Sequence, residues 1–202
     1  TASGSQIGTD ALVNVEKIIT GDGADTFYRF VGIDIDGSNG TDTVNYAGDN
    51  ALVINLHTGQ ATDGAITQRL FNIENVIGTS NADSIVGSAL ANRLEGGAGN
   101  DTIKAAAGNA NDNDTLIGGA GNDVYGVDDV GDVVIEAGGE GIDTIQSSIS
   151  LTLGANVENG RILSTGNADL TGNALNNTIY AGSGINSIDG GTGVDTVSYV
   201  YA

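Results

Sequence analysis

The sequence predicts an all-β protein, a right-handed parallel β-roll (β-solenoid) in which short strands and glycine turns alternate along one continuous coil. Three observations predict it. A nine-residue pattern, G-G-x-G-x-D-x-U-x with U large and apolar, is complete at Gly96-Gly97-Ala98-Gly99-Asn100-Asp101-Thr102-Ile103-Lys104, at Gly118 to Gly126 and at Gly190 to Ser198, with degenerate copies around them. The chain holds 33 glycines and no proline, cysteine, methionine or tryptophan. Aromatic residues make up 4%, which leaves Ile, Val, Leu and Ala to fill a core thinner than that of a thick globule.

Each part of the nonad has its reason. Its first six residues turn the chain, because glycine reaches positive φ and close backbone approach that a side chain blocks. Its last three make a short strand whose middle residue faces inward. The inward positions are then Ile85, Leu94, Ile103, Leu116, Tyr125, Ile179, Ile188 and Val197, all apolar. Two nonads close one coil of about eighteen residues, so successive turns fall on opposite edges of the roll.

In chain order, 1–77 reads as degenerate coils with longer strands, 78–126 as the main nonad block, 127–171 as longer, irregular coils, and 172–202 as a second, truncated block, all in one solenoid. Residues 1–28 resemble 59–86 at an offset of 58, Leu12 to Ile19 matching Leu70 to Ile77 and Asp25 matching Asp83. Gly40 to Tyr46 likewise resembles Gly193 to Tyr199. Strands are expected at Ala51 to Leu56, Ile66 to Ile77, Asp132 to Ile135 and Ile145 to Leu153, with no long helix.

Stacking coils two nonads apart stacks the aspartates of position six. Asp83 and Asp101 are eighteen residues apart; Asp101 and Asp123 are twenty-two, the excess being an insert near Ala105 to Gly108. Asn92 faces Asp114 on the opposite edge, and Asn177 faces Asp195. Piled carboxylates repel unless a cation lies among them, and turn carbonyls supply further hard oxygen donors of the kind calcium takes in sixes to eights. Neutral Asn92, Asn177 and Asn186 at position six weaken that pull.

These nonads resemble the RTX (repeats-in-toxin, haemolysin-type) family of calcium-binding repeats. The resemblance implies several Ca2+ ions between stacked turns, each held by carbonyls of positions one and three of one turn, positions two and four of its neighbour, and both position-six carboxylates. The best set is Gly96, Ala98 and Asp101 with Gly119, Gly121 and Asp123. The others are Gly78, Ser80 and Asp83 with Gly97 and Gly99, Gly118 and Ala120, Asp114, and Asn177 with Gly191, Gly193 and Asp195. It also implies export from a Gram-negative-type bacterium through a type I channel to the cell surface or medium, as a module of a secreted enzyme or toxin that folds on calcium. The C-terminal Val197 to Ala202 shows no identifiable export signal, and a chain opening at Thr1 reads as a processed product or a fragment.

Charge narrows the partners. With 26 acidic residues against six basic, a formal charge of −20 disfavours nucleic acid and anionic membranes, and no apolar run is long enough for a membrane-spanning helix. Uncapped roll ends invite end-to-end self-association into a filament, surface layer or adhesin stalk. Catalysis within these residues is not expected: neither G-x-S-x-G nor H-E-x-x-H occurs. Asn14-Val15-Glu16, Asn72-Ile73-Glu74 and Asn156-Val157-Glu158 read as a repeated structural element rather than glycosidase carboxylates. Asp34 to Asp42 reads as a nonad turn with an acidic lead-in rather than an EF-hand, since Asn39 and Asn45 stand where Gly and Glu are required. Lone His57 reads as a surface residue. An ice-binding array is absent, because positions three and five show no Thr and Asn pattern.

Overall fold

Three extended residues between glycine turns permit only short strands, and short strands are what forms. A computed structural model describes residues 14–28, 32–106 and 112–201. Residues 1–13 of the proposed internal copy, and 107–111 around the expected insert, lie outside the described residues. The described residues contain 21 strands and no helix.

The chain passes back and forth between two faces. One is a 12-stranded sheet; the other is a six-stranded sheet followed by a 3-stranded one. Coils stack in parallel register, Ser84, Thr102, Val124 and Thr144 lining up on the first face and Asn75, Arg93, Thr115 and Val133 on the second. Their middle residues meet between the faces: Ile85, Leu94, Ile103, Leu116, Tyr125 and Ile179 are fully buried. Each such aliphatic side chain contributes about 1.5–3 kcal/mol relative to exposure. Ile188 is half-buried and Val197 is 41% exposed, because Val197 lies in the outermost strand of the 12-stranded sheet. The fold is thus the parallel β-roll that the nonads predict.

One coil departs from it. Strands Val53–Asn55, Gln60–Thr62 and Thr67–Phe71 form an antiparallel meander within the 12-stranded face, while the coils on either side of it pair directly on the other face. Exposed His57 sits in its first loop. Ile66 to Ile77 is not one strand: Asn72, at φ 51, ends Thr67–Phe71 and lets the chain cross to Asn75–Ile77. Asn14 and Asn156 take the same conformation, at φ 55 and 65. Asparagine tolerates this left-handed region better than most residues. The third of the Asn-x-Glu elements makes a short coil, Asp143 and Glu158 being 15 residues apart, so the region after 126 is not uniformly longer.

The described part of the internal copy keeps its local form and exchanges faces. Lys17–Ile19 lies on the 12-stranded face where Asn75–Ile77 lies on the six-stranded one, and Thr26–Tyr28 and Ser84–Val86 are exchanged likewise. Asp34 and Asp36 point outward and pair with Arg69 and Lys17 at 2.6 and 2.9 Å, while Ile35 between them is buried. That alternation belongs to a strand and not to an EF-hand loop.

Candidate metal centre

Strand ends at each edge of the roll present a backbone N–H at position six, and the side chain of the next coil on that edge accepts it. Leu52 N–H donates to Asp83, Asp83 to Asp101, Asp101 to Asp123, and Asp123 to Asp143, all to Oδ1 at 2.7–2.8 Å. Asp143 N–H then donates to Glu158 Oε2. On the other edge Asp25 donates to Asp42, Asp42 to Glu74 Oε2, Asn92 to Asp114 and Asp114 to Asp132. Asn177 N–H donates to Asp195. Each edge therefore carries a spine of carboxylates, and the Glu of the Asn-x-Glu element replaces aspartate where the turn is shortened. Asn92 and Asn177 follow those glutamates and donate their amides to the backbone carbonyls of Glu74 and Glu158.

The second carboxylate oxygen is left over. Oδ2 of Asp42, Asp101, Asp112, Asp114 and Asp123 is buried without a hydrogen-bond partner. Such an orphaned charge costs several kcal/mol unless something neutralises it. In Asp42, Asp101 and Asp123 it packs on the Cα of the position-one glycine of its own turn, so a Cβ at Gly96 would strike Asp101, one at Gly118 would strike Asp123, and one at Gly37 would strike Asp42. Neighbouring turns bring carbonyls to the same edge. Gly118 O approaches Gly96, Gly97 O approaches Gly119, Gly99 O approaches Gly121, and Asn173 O approaches Gly191.

Electrostatics record the crowding. Burial pushes Asp101 up to about 7 against the Asp83 N–H that it accepts, and the Asp123 and Asp83 carboxylates raise it further. Burial also takes Asp114 to about 7, with Asp132, Asp112 and Asp128 adding to it. Asp123 rises to about 6, from burial and then from Asp143 and Glu140. The residues present fit a hard divalent cation: buried, unpartnered carboxylate oxygens stand beside glycine carbonyls, with no nitrogen or sulfur donor in the set.

The expected pairs Asp83 with Asp101, Asp101 with Asp123, Asn92 with Asp114 and Asn177 with Asp195 are brought together along the edges. Gly78, Ser80, Gly96, Ala98, Gly99, Ala120 and Gly193 lie in these same turns. Turn positions 97 and 98 also pair with 119 and 120 as a continuation of the strand ladder. Asn186, by contrast, is half-exposed and donates to Ala168 O.

Sequence reading left Asp42, Glu74, Asp132, Asp143 and Glu158 of the spines, and Glu136 beside them, outside the expected metal set. Asp143 belongs to a complete nonad, Gly138 to Gln146, which follows that of Asp123 by 20 residues. Asp132 and Asp42 lie in degenerate turns. Glu136 carries no motif signal at all; it is 8% exposed and accepts a hydrogen bond from the Tyr125 hydroxyl.

Comparison with known proteins bears on the cation. The RTX calcium-binding nonapeptide repeat, in 4 copies, matches residues 77–109, 110–130 and 171–199. The endo-1,3-1,4-beta-glycanase ExsH of Rhizobium meliloti (strain 1021) is 42% identical over 76 residues, which is 38% of this chain and 16% of that protein. The chain thus spans a small part of that relative's length. Such nonapeptide repeats bind calcium, and with the carboxylate spines at its edges this chain carries a β-roll of RTX calcium-binding nonapeptide repeats.

Proposed function

We propose that this chain is the calcium-dependent folding module of a secreted bacterial protein, with Ca2+ held by the position-six pairs Asp83/Asp101, Asp101/Asp123, Asn92/Asp114 and Asn177/Asp195 and by the carbonyls of their glycine turns. The observation that carries this reading is the row of buried, unpartnered Oδ2 atoms in a chain of charge −20. Without a cation these charges oppose compaction; with one, they bind coil to coil. Low calcium inside a cell would keep the chain loose for export, and the higher calcium outside would fold it. Extracellular modules of this chemistry bind on the order of 10⁻⁴ to 10⁻³ M.

Any catalysis belongs to other parts of the parent protein. The partial likeness to a glycanase supports a polysaccharide-acting enzyme as that parent. A circular-dichroism and thermal titration from chelator into millimolar calcium tests the module: β-structure and melting temperature should rise together across that range. A spectrum and melting point indifferent to calcium would overturn the proposal.

A further inference from the structure

Glu136 lies outside every nonad. It occupies a two-residue excess between strand Val133–Ile135 and the turn that opens at Gly138, and its side chain is drawn into the roll. The charged groups bearing on it are Asp143, Asp123 and Glu140, all acidic. One carboxylate oxygen each from Asp123, Glu136 and Asp143 lies within 4.8 Å of the others, and all three residues are buried. Two further observations point into this cluster. Asp123, 1% exposed, and Glu136, 8% exposed, each leave one buried oxygen, Oδ2 and Oε2, without a partner. Tyr125 Oη and Asp123 Oδ2 also converge over the Cα of Gly118, where a Cβ would strike both. Tyr125 is the inward residue of its strand, where Ile85, Ile103 and Ile145 stand in neighbouring coils.

We propose that Asp123, Glu136 and Asp143 form a three-carboxylate site for a divalent cation, with the Tyr125 phenol oxygen at its margin. An all-oxygen, hard donor set with three negative charges favours calcium, and the third charge makes the site tighter than the two-carboxylate pairs. The stacked pairs take both carboxylates from position six of adjacent coils. Here the third comes from inside the intervening coil, and Glu136 and Asp143 fall outside the residues matched by the repeat family. The inference rests on the proposed function only for the identity of the ion.

Terbium, a hard trivalent stand-in for calcium whose emission is sensitised by a nearby phenol, reports on this site in the intact chain. Wild type should give phenol-sensitised emission that calcium competes away and that Tyr125→Phe loses. Glu136→Gln keeps the size of the side chain and an oxygen to accept from Tyr125, yet removes the charge. It should bind one calcium fewer, weaken terbium binding at this site at least tenfold, and melt no lower than wild type in chelator. Asp101→Asn should lower the calcium count while leaving the Tyr125-dependent emission in place. Emission and calcium count unchanged in Glu136→Gln overturn the three-carboxylate site and leave the paired turns standing. Glu136-dependent emission in a chain whose calcium count ignores Asp101 supports this site and overturns the paired-turn reading. A wild-type chain that binds neither ion overturns both.

Discussion

A methyl group is enough to disturb a spine of this kind. Gly96 is buried with the Asp101 carboxylate lying against its Cα, whereas Gly21 is exposed with open space where a Cβ would go and no positive φ. Gly96→Ala should therefore cost about 1–3 kcal/mol through overpacking. Gly21→Ala should be neutral or stabilising by about 0.4–1 kcal/mol, since it only restricts the unfolded chain. Paired urea titrations in calcium check both. A second consequence is pH dependence. Asp101 and Asp114 titrate near 7 and Asp123 near 6 when folded, above the ordinary 3.8, so the folded chain without metal holds protons more tightly than the unfolded one. Their stabilising protonation is complete below about pH 4 and is lost as pH rises through 6 to 7. In chelator the melting temperature should fall from pH 5 to pH 8, and in saturating calcium that fall should vanish. A metal-free melting temperature that climbs over this interval would contradict the assignment. Sequence alone exposed Asp83, Asp101 and Asp123 because they recur at a period; Glu136 recurs with nothing, and its burial follows only from how two extra residues are folded into the coil.

At the scale of a strand, face alternation decides what a substitution does. Ile103 is fully buried between two turns, while Thr102, its neighbour, is half-buried on the opposite side of the strand. Ile103→Asp should abolish calcium-dependent folding, because it buries a charge with no partner. Thr102→Asp should melt close to wild type. Melting temperatures at saturating calcium compare them, and a more damaging Thr102→Asp would reverse the inward assignment. The Asn-x-Glu corner offers a further test. Asn156 sits at φ 65 and donates to Glu136 O, so Asn156→Ala should cost about 1–2 kcal/mol, and Asn156→Gly, which pays no steric penalty at that φ, less. The inward face of each nonad was legible because its apolar residue keeps a fixed place after the glycines. The break at Asn72 was not: apolar Ile66 to Ile77 reads as continuous, and only the positive φ of one asparagine divides it. Strand Gln60–Thr62 has only Ala61 to bury, so its sole sequence signal is the pair of turn dipeptides, Thr58-Gly59 and Asp63-Gly64, that flank it.

Across the whole molecule, two facing sheets and two carboxylate edges account for both composition and charge. Glycine is abundant because carboxylates and carbonyls crowd the turns, aromatics are few because the space between the faces is thin, and part of the acidic excess lines the edges where coils stack. The parallel roll was therefore legible from period and composition together. The antiparallel meander and the exchange of faces between related segments were not, since both depend on how many times the chain crosses the roll before rejoining its neighbour. The account turns on cations lying between stacked position-six carboxylates, and the direct measure is the number of calcium ions bound, by equilibrium dialysis, to wild type, Asp101→Ala and Asn186→Ala. Asp101 faces Asp83 on one side and Asp123 on the other, whereas Asn186 offers a neutral amide that is bonded to a backbone carbonyl. Asp101→Ala should lose bound calcium and melt well below wild type in its presence, while Asn186→Ala stays near the wild-type count; equal losses from the two, or none from Asp101→Ala, would contradict the claim that the stacked carboxylates hold the ions.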